Sequence, residues 1–395
     1  MRKEVKKTFL IVILNFCVGI LFSEIQWLPY YAFNLSEGVY LPSVGRWGIT
    51  TNLSNDIGFI VKPSQKHTAL IFYELKYNGP GLKRQEGEKF EQRNMGHLLM
   101  GQYNYQYSKN LVFKTRLSYI TDWWRSGANE LWGYGLYDSV RLGISEDVEV
   151  TLNNKIILTG QIGFSQIRFP NYTNLIEEFQ AGEEETTGGK QDNNLLQLGA
   201  KVKYAGHIVG LSFNNQSYLN QKILDDTGTY IDKKQNDLLV ELSYNKEELK
   251  IVWILWTSPF VSLKYKDSNQ GYLHFKSITS TPTFVADFYD YTKISFSFPV
   301  NLSITKTRYL SFVPEYEITT YSRPRRDENN DFVSGEKHIT NLTLMSFAYT
   351  SRPDENRKVT LFYTLQTQTS TTKFDKYFPY NYSGNYFGVK YSYSF

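Results

Sequence analysis

The chain has 395 residues, a formal net charge of +4, 16 % aromatic residues with 31 tyrosines, one cysteine and a polar mean hydropathy. A single cysteine excludes a disulfide-stapled fold, and no proline- or glycine-rich linker or charge block divides the sequence, so one continuous domain is expected. After the first two dozen residues no apolar run reaches the roughly twenty residues of a membrane-spanning helix.

Residues 1–23 read as a secretory signal peptide. Arg2, Lys3, Lys6 and Lys7 precede a stretch over residues 8–22 that is apolar except for Asn15, and the small polar Ser23 follows. About fifteen apolar residues are too few for a retained transmembrane helix. The only cysteine, Cys17, lies inside this stretch, so the exported chain would contain none. Residues 24–64 leave two readings open. Residues 47–61 have strand-like stretches that either pair with residues 31–41 as an extra hairpin or fold inward as a partial plug.

From residue 65 to 395 the chain alternates, apolar then polar, in segments joined by short turns and long polar loops in turn. Residues 67–77 and 96–107 flank a charged loop, and the second turns tightly at Ser108-Lys109-Asn110 into residues 111–122. Residues 134–152 turn at Asn153-Asn154 into 155–169, and a long acidic loop with Glu183, Glu184 and Glu185 follows. Residues 195–204 turn at Ala205-Gly206 into 207–218, and 237–244 turn at Asn245-Lys246-Glu247 into 248–257. Residues 258–290 are mixed. Residues 291–304 turn into 308–321, and 338–350 turn through Pro353-Asp354-Glu355-Asn356 into 357–369. The last segment, 384–395, carries Phe387, Val389, Tyr391, Tyr393 and Phe395 on one face and Gly388, Lys390, Ser392 and Ser394 on the other.

A strand's side chains point to opposite faces with a period of two, so each face needs its own solvent. In lipid every backbone polar group must be satisfied internally, and only helices and closed barrels achieve this. The predicted fold class is therefore all-β: a transmembrane antiparallel up-and-down β-barrel of about fourteen strands, within a range of twelve to sixteen. Ile294, Phe296, Phe298, Val300, Leu302 and Ile304 should face lipid, with Lys293, Ser295, Ser297, Asn301 and Ser303 inside. The same rule places Lys76, Lys114, Arg116, Arg141, Lys201, Lys203, Lys250, Lys293, Lys358 and Lys390 inward against Glu74, Glu241, Glu315 and Glu317. A net basic wall would favour anions, unless these charges pair across strands and merely fill the lumen. Aromatics at strand ends, among them Tyr77, Tyr107, Tyr119, Trp123, Trp124, Tyr204, Tyr218, Tyr244, Tyr321 and Tyr349, should form two interfacial girdles.

An aromatic terminus after alternating apolar residues, together with the export signal and the alternating body, resembles bacterial outer-membrane β-barrels of the porin-like kind, with no subfamily indicated. In that family, the resemblance implies, the last strand and its terminal Phe are read by the barrel-assembly machinery. It also implies an outer-membrane location among lipid and lipopolysaccharide, short turns toward the periplasm and long loops outward. The expected function is passive diffusion of small polar solutes with a weak anion preference. Two alternatives stand beside it: a non-conducting structural or adhesive surface barrel, and a lipase or protease at the barrel rim.

The rim hydrolase would need a histidine beside a serine or carboxylate. The chain has His67, His97, His207, His274 and His338, with no catalytic motif around the three nearest the outer rim and His97 on the lipid-facing parity of Leu99. Asp327, Asn329 and Asp331 start a calcium-loop pattern that fails, because Phe332 stands where Gly is needed and His338 where the closing Glu belongs. No phosphate loop, zinc-ligand pair or nucleic-acid motif appears, so no cofactor, metal or nucleic-acid partner is expected and the chain is read as non-enzymatic.

Overall fold

The computed structural model describes residues 25–45, 47–80, 93–125, 131–153, 155–174, 177, 188–276, 281–374 and 380–395. Residues 1–23, expected to be a signal peptide, and the acidic stretch 183–185 lie outside these residues.

Sixteen strands follow one another antiparallel, each paired with its neighbours in sequence, and the last pairs with the first. They are β1 (Gln26–Pro42), β2 (Gly48–Ser64), β3 (His67–Pro80), β4 (Arg93–Ser108), β5 (Leu111–Arg125), β6 (Ser139–Leu152), β7 (Ile156–Arg168), β8 (Asn193–Tyr204) and β9 (His207–Leu224). Then come β10 (Tyr230–Lys246, continued by Leu249–Val252), β11 (Leu255–Thr257, continued by Phe260–Ser268) and β12 (Tyr291–Ser297, continued by Val300–Thr305). The wall ends with β13 (Arg308–Arg326), β14 (Phe332–Ser351), β15 (Arg357–Ser370) and β16 (Tyr382–Ser394). Both termini of the wall and all the tight turns share one end, and the longer connections share the other.

The count exceeds fourteen by one hairpin. Residues in the 24–64 segment form β1 and β2, whose register runs unbroken from Gln26 opposite Lys62 to Tyr40 opposite Gly48. A second difference concerns residues 245–268. The turn is not at Asn245-Lys246-Glu247; the chain runs on to a two-residue turn at Trp253-Ile254, and the next strand extends to Ser268. Proline explains the irregularity. Pro259 and Pro299 lack the N–H a ladder needs, and both β11 and β12 break where they stand. At the other tight turns the chemistry is ordinary: Ala205 and Gly206 take φ of 50° and 76°, the left-handed pair that a two-residue hairpin demands.

The barrel closes where β1 meets β16, with eleven consecutive residue pairs from Ala32 opposite Ser394 to Pro42 opposite Gly384. Tyr31 and Phe395 exchange both backbone hydrogen bonds, at 3.3 and 3.1 Å. Their rings lie 5.7 Å apart, and Tyr31–Tyr393 and Phe33–Tyr391 continue the outer aromatic seam at 6.0 and 6.4 Å. On the inner side Gly38 sits opposite Gly388, and the space they leave is filled by Tyr386.

A belt of apolar side chains faces outward and is exposed all round the wall, among them Ile57, Ile71, Leu99, Leu117, Ile144, Ile162, Leu198, Leu211, Leu263, Ile294, Leu310, Phe347, Leu361 and Val389. A patch of that extent has no place in water, and a hydrocarbon layer is the medium that satisfies it. The buried apolar core is correspondingly tiny, limited to residues such as Ala32, Val61 and Ala69. Near the tight-turn end His67 bonds Tyr103 and His207 bonds Tyr244, ring systems with polar tips at the level where the belt meets water. Tyr218 and Tyr321, expected in the girdles, instead stand on the inner face. Tyr218 bonds Asp237, and Tyr321 stacks on His338.

Among the outward residues that break the belt, one lies on β6. Glu146 on β6 has Val140, Leu142 and Ile144 above it and Val148, Val150 and Leu152 below it on the same face. Its carboxyl accepts a hydrogen bond from Thr115, the residue opposite on β5. A carboxylate at mid-belt remains costly, so Glu146→Leu is expected to raise unfolding stability by about 1–2 kcal/mol, read as a higher denaturant midpoint in vesicles. A lowered midpoint would mean that this position does not meet hydrocarbon.

Candidate functional site

The candidate site is the inner wall. Because the outward row of each strand is fixed by the exposed belt, the intervening residues point into the lumen. These rows are ionic and amide-rich, and cross-strand register decides which charges meet.

Arg116 on β5 lies beside Asp147 on β6 at 2.6 Å and also donates to Gln102 on β4 at 2.7 Å. Lys114 meets Glu149 at 2.7 Å, Lys293 meets Glu317 at 2.7 Å, and Lys76 meets Glu74 at 2.9 Å. At the tight-turn end Lys203 meets Glu247 at 2.6 Å and Lys250 meets Glu248 at 3.8 Å. Two further pairs were not anticipated: Lys264–Glu241 at 3.4 Å and Lys266–Asp237 at 2.9 Å. Thus most of the basic candidates have a carboxylate within ion-pair distance.

Three do not. Arg141 donates to Gln197 at 3.3 Å, Lys358 lies over the Tyr309 ring at 6.0 Å, and Lys201 is exposed toward the lumen in a wall recess of about 320 Å³ with Gln161, Gln197 and Asn214. Lys390 is likewise exposed and inward. Glu315 is held only by Ser297 at 3.4 Å. Sequence alternation alone marks Asp147 and Glu149 as inward, since they share the face of Arg141; register is what assigns them to Arg116 and Lys114.

At the long-loop end the wall opens into a chamber roofed by the segment between β11 and β12, which folds as a small hairpin of Tyr272–His274 against Thr283–Val285. A cavity of about 610 Å³ there is walled by Tyr172, Tyr218, Tyr230, Tyr289, Gln191 and Gln270 among others. Burial pushes the Tyr289 hydroxyl up to about 12, so it stays a proton donor throughout the physiological range. Asp327, considered for calcium, spends its carboxylate on the backbone N–H groups of Asn329 and Asp331, both at 2.9 Å, while Asp331 pairs with Lys276 at 2.6 Å. No group of three metal-ligating side chains occurs among the described residues.

The three histidines nearest the rim are each hydrogen-bonded through one ring nitrogen. His97 bonds the Tyr73 hydroxyl at 2.6 Å and meets Trp123 edge-on, on the outward face. His274 bonds the Asn330 carbonyl at 2.9 Å, and His338 accepts from Arg323 at 3.1 Å. Among the described residues no histidine is hydrogen-bonded to a serine or a carboxylate, the arrangement a rim hydrolase requires. The outward row of β16 places Phe387, Val389 and Phe395 in the exposed belt, with Tyr391 and Tyr393 at the seam with β1.

No family model matches the chain, and no curated protein matches it. Solved structures with the same architecture do. One is OmpT of Vibrio cholerae folded in vitro, described as an outer membrane protein, 12 % identical with a TM-score of 0.48 over 95 % of this chain and 99 % of that one. Others are OccK2 (OpdF) of Pseudomonas aeruginosa, 10 % identical with a TM-score of 0.47 over 93 % and 98 %, and OmpF of Salmonella typhi in complex with daunomycin, 10 % identical with a TM-score of 0.47 over 93 % and 97 %. The chain's own strand pairing and outer belt make it a closed, sixteen-stranded antiparallel transmembrane barrel.

Proposed function

We propose that this chain is a water-filled passage for the diffusion of small polar solutes across an outer membrane, with a weak preference for anions. The observation that carries the reading is the closed sixteen-stranded wall with polar and ionic inner rows, because barrels of sixteen strands are wide enough to leave an aqueous channel while those of eight are filled by their own side chains. The ion pairs neutralise much of the wall. The bias therefore falls to the cations that, among the described residues, have no carboxylate within ion-pair distance: Arg141, Lys201, Lys358 and Lys390. Lipid and lipopolysaccharide would surround the belt, and the assembly machinery would read the β16 row that ends at Phe395.

Planar-bilayer recording tests this. The purified barrel is expected to give steady ohmic conductance, with a reversal potential in a salt gradient on the anion side. Replacing Arg141, Lys201 and Lys358 together with Gln should move that potential toward cations, and Lys293→Gln, which removes one charge and leaves Glu317 uncompensated, should move it the same way by a smaller step. An unchanged potential in the triple variant removes the anion assignment. Zero conductance removes the channel.

A further inference from the structure

The outer ends of β13 and β14 hold a cluster unlike the rest of the wall. Arg323 is clamped between aromatic faces, its guanidinium carbon 4.0 Å from the Tyr321 ring centroid and 4.5 Å from that of Phe288. Its Nε donates to His338 Nδ1 at 3.1 Å and its Nη1 to the Phe288 carbonyl at 3.4 Å. Arg326 reaches the same cavity, donating to Asn330 Oδ1 and to the Tyr380 hydroxyl, both at 2.9 Å. Among the described residues neither arginine has a carboxylate partner. The contrast with Arg325 between them is direct, since that residue pairs with Glu336 at 2.5 Å.

His338 is 3 % exposed. An arginine N–H can only donate, so the bond to Nδ1 assigns the ring proton to Nε2. That Nε2–H is buried and, among the described residues, has no hydrogen-bond partner. An unsatisfied buried donor beside two uncompensated guanidinium groups is costly, and a ligand rich in acceptor oxygens removes both costs at once. The cavity between them measures about 210 Å³ and is also lined by Tyr272, Thr372 and Tyr380, with no Asp or Glu among its walls. Its chemistry is that of an oxyanion receptor: planar guanidinium forks for oxygen pairs, a fixed imidazole donor and aromatic walls that exclude water.

We propose that this pocket is a binding subsite for a compact oxyanion, carboxylate or phosphate, carried by a solute entering the lumen. Tyr321 and His338 belong to the inner face, inside the wall rather than on its lipid side, which favours a solute over a lipopolysaccharide phosphate as the source. The subsite's part in solute entry rests on the channel reading above, whereas its binding chemistry does not.

The test is calorimetric titration of the detergent-solubilised barrel, prepared free of lipopolysaccharide, with inorganic phosphate and with acetate. Saturable binding is expected, weakened about tenfold by Arg323→Gln or Arg326→Gln and unaffected by Arg325→Gln. Arg323→Lys, which keeps the charge and loses the fork, should retain part of the affinity and guards against a variant that fails to fold, as circular dichroism checks. No saturable binding, or binding indifferent to both glutamine variants, overturns the subsite. Displacement of phosphate by added lipopolysaccharide would overturn the solute source. A barrel that conducts in bilayers but binds no oxyanion refutes the subsite alone, and one that binds but does not conduct refutes the channel alone.

Discussion

Gly388→Val is expected to prevent closure of the barrel, and it is the most damaging single change in the wall. A Cβ on Gly388 would stand 2.2 Å from the Glu37 carbonyl oxygen and 2.6 Å from the Gly38 Cα, contacts with backbone that no side-chain rotation relieves. Gly38 is equally crowded, with the Phe387 carbonyl at 2.8 Å and the Tyr386 ring at 2.6 Å. The two glycines face each other across the junction made by residues distant in sequence, where β1 and β16 must find register for the wall to close. Overpacking a well-packed contact costs about 1–3 kcal/mol. Here the loss is larger in consequence, because an unclosed edge exposes unpaired N–H and C=O groups to hydrocarbon along its whole length. Folding into vesicles, followed by protease resistance, should show a protected wild type and a degraded variant. Gly101→Val, at an outward position with open space around it, should behave as wild type. Equal protection of all three would contradict the seam as described.

Leu198→Arg is expected to cost about 2–4 kcal/mol of stability in a bilayer, while Gln197→Arg one residue earlier should cost little. Leu198 is exposed on the outer face of β8, between Leu196 and Ala200, and its neighbours across the ladders are Ile162 and Phe213. A guanidinium there must leave water for hydrocarbon. Gln197 lies inward, bonded to Asn214 at 3.1 Å and to Arg141 at 3.3 Å, where a longer polar side chain stays hydrated. Equilibrium denaturation in lipid vesicles measures the difference between the two variants. A Gln197→Arg penalty as large as that of Leu198→Arg would mean that both faces meet lipid.

Much of this wall was legible because a period of two is a local property. The rows over residues 294–304 and 387–395 announce their faces without any knowledge of neighbours. Where alternation is diluted, legibility fails. β1 and β2 carry Glu37 and Asn55 on their outward parity, so the first hairpin reads equally as a plug until register pairs it with β16 and β3. Turn chemistry misled at residues 245–254, because Asn245-Lys246-Glu247 looks like a turn and Trp253-Ile254 looks like a strand. Ion pairing was hidden for a different reason: Lys114 and Glu149 are 35 residues apart, and only the β5–β6 register brings them together. The Arg323–His338 pocket was least visible of all. It draws on two strands and two loops, and an arginine-rich stretch in isolation looks like a solvated charge run.

The alternation of oil and water round a closed wall is tested most directly by placing single cysteines at adjacent positions in a chain whose Cys17 is replaced by Ser. Thr360 and Leu361 on β15, and Ser295 and Ile294 on β12, each provide one inward and one outward site. In vesicles a charged, water-soluble thiol reagent should label positions 360 and 295 and leave 361 and 294 unmodified. Equal labelling within each pair, or labelling of 361 and 294 alone, would contradict a water-filled lumen bounded by a lipid-facing belt.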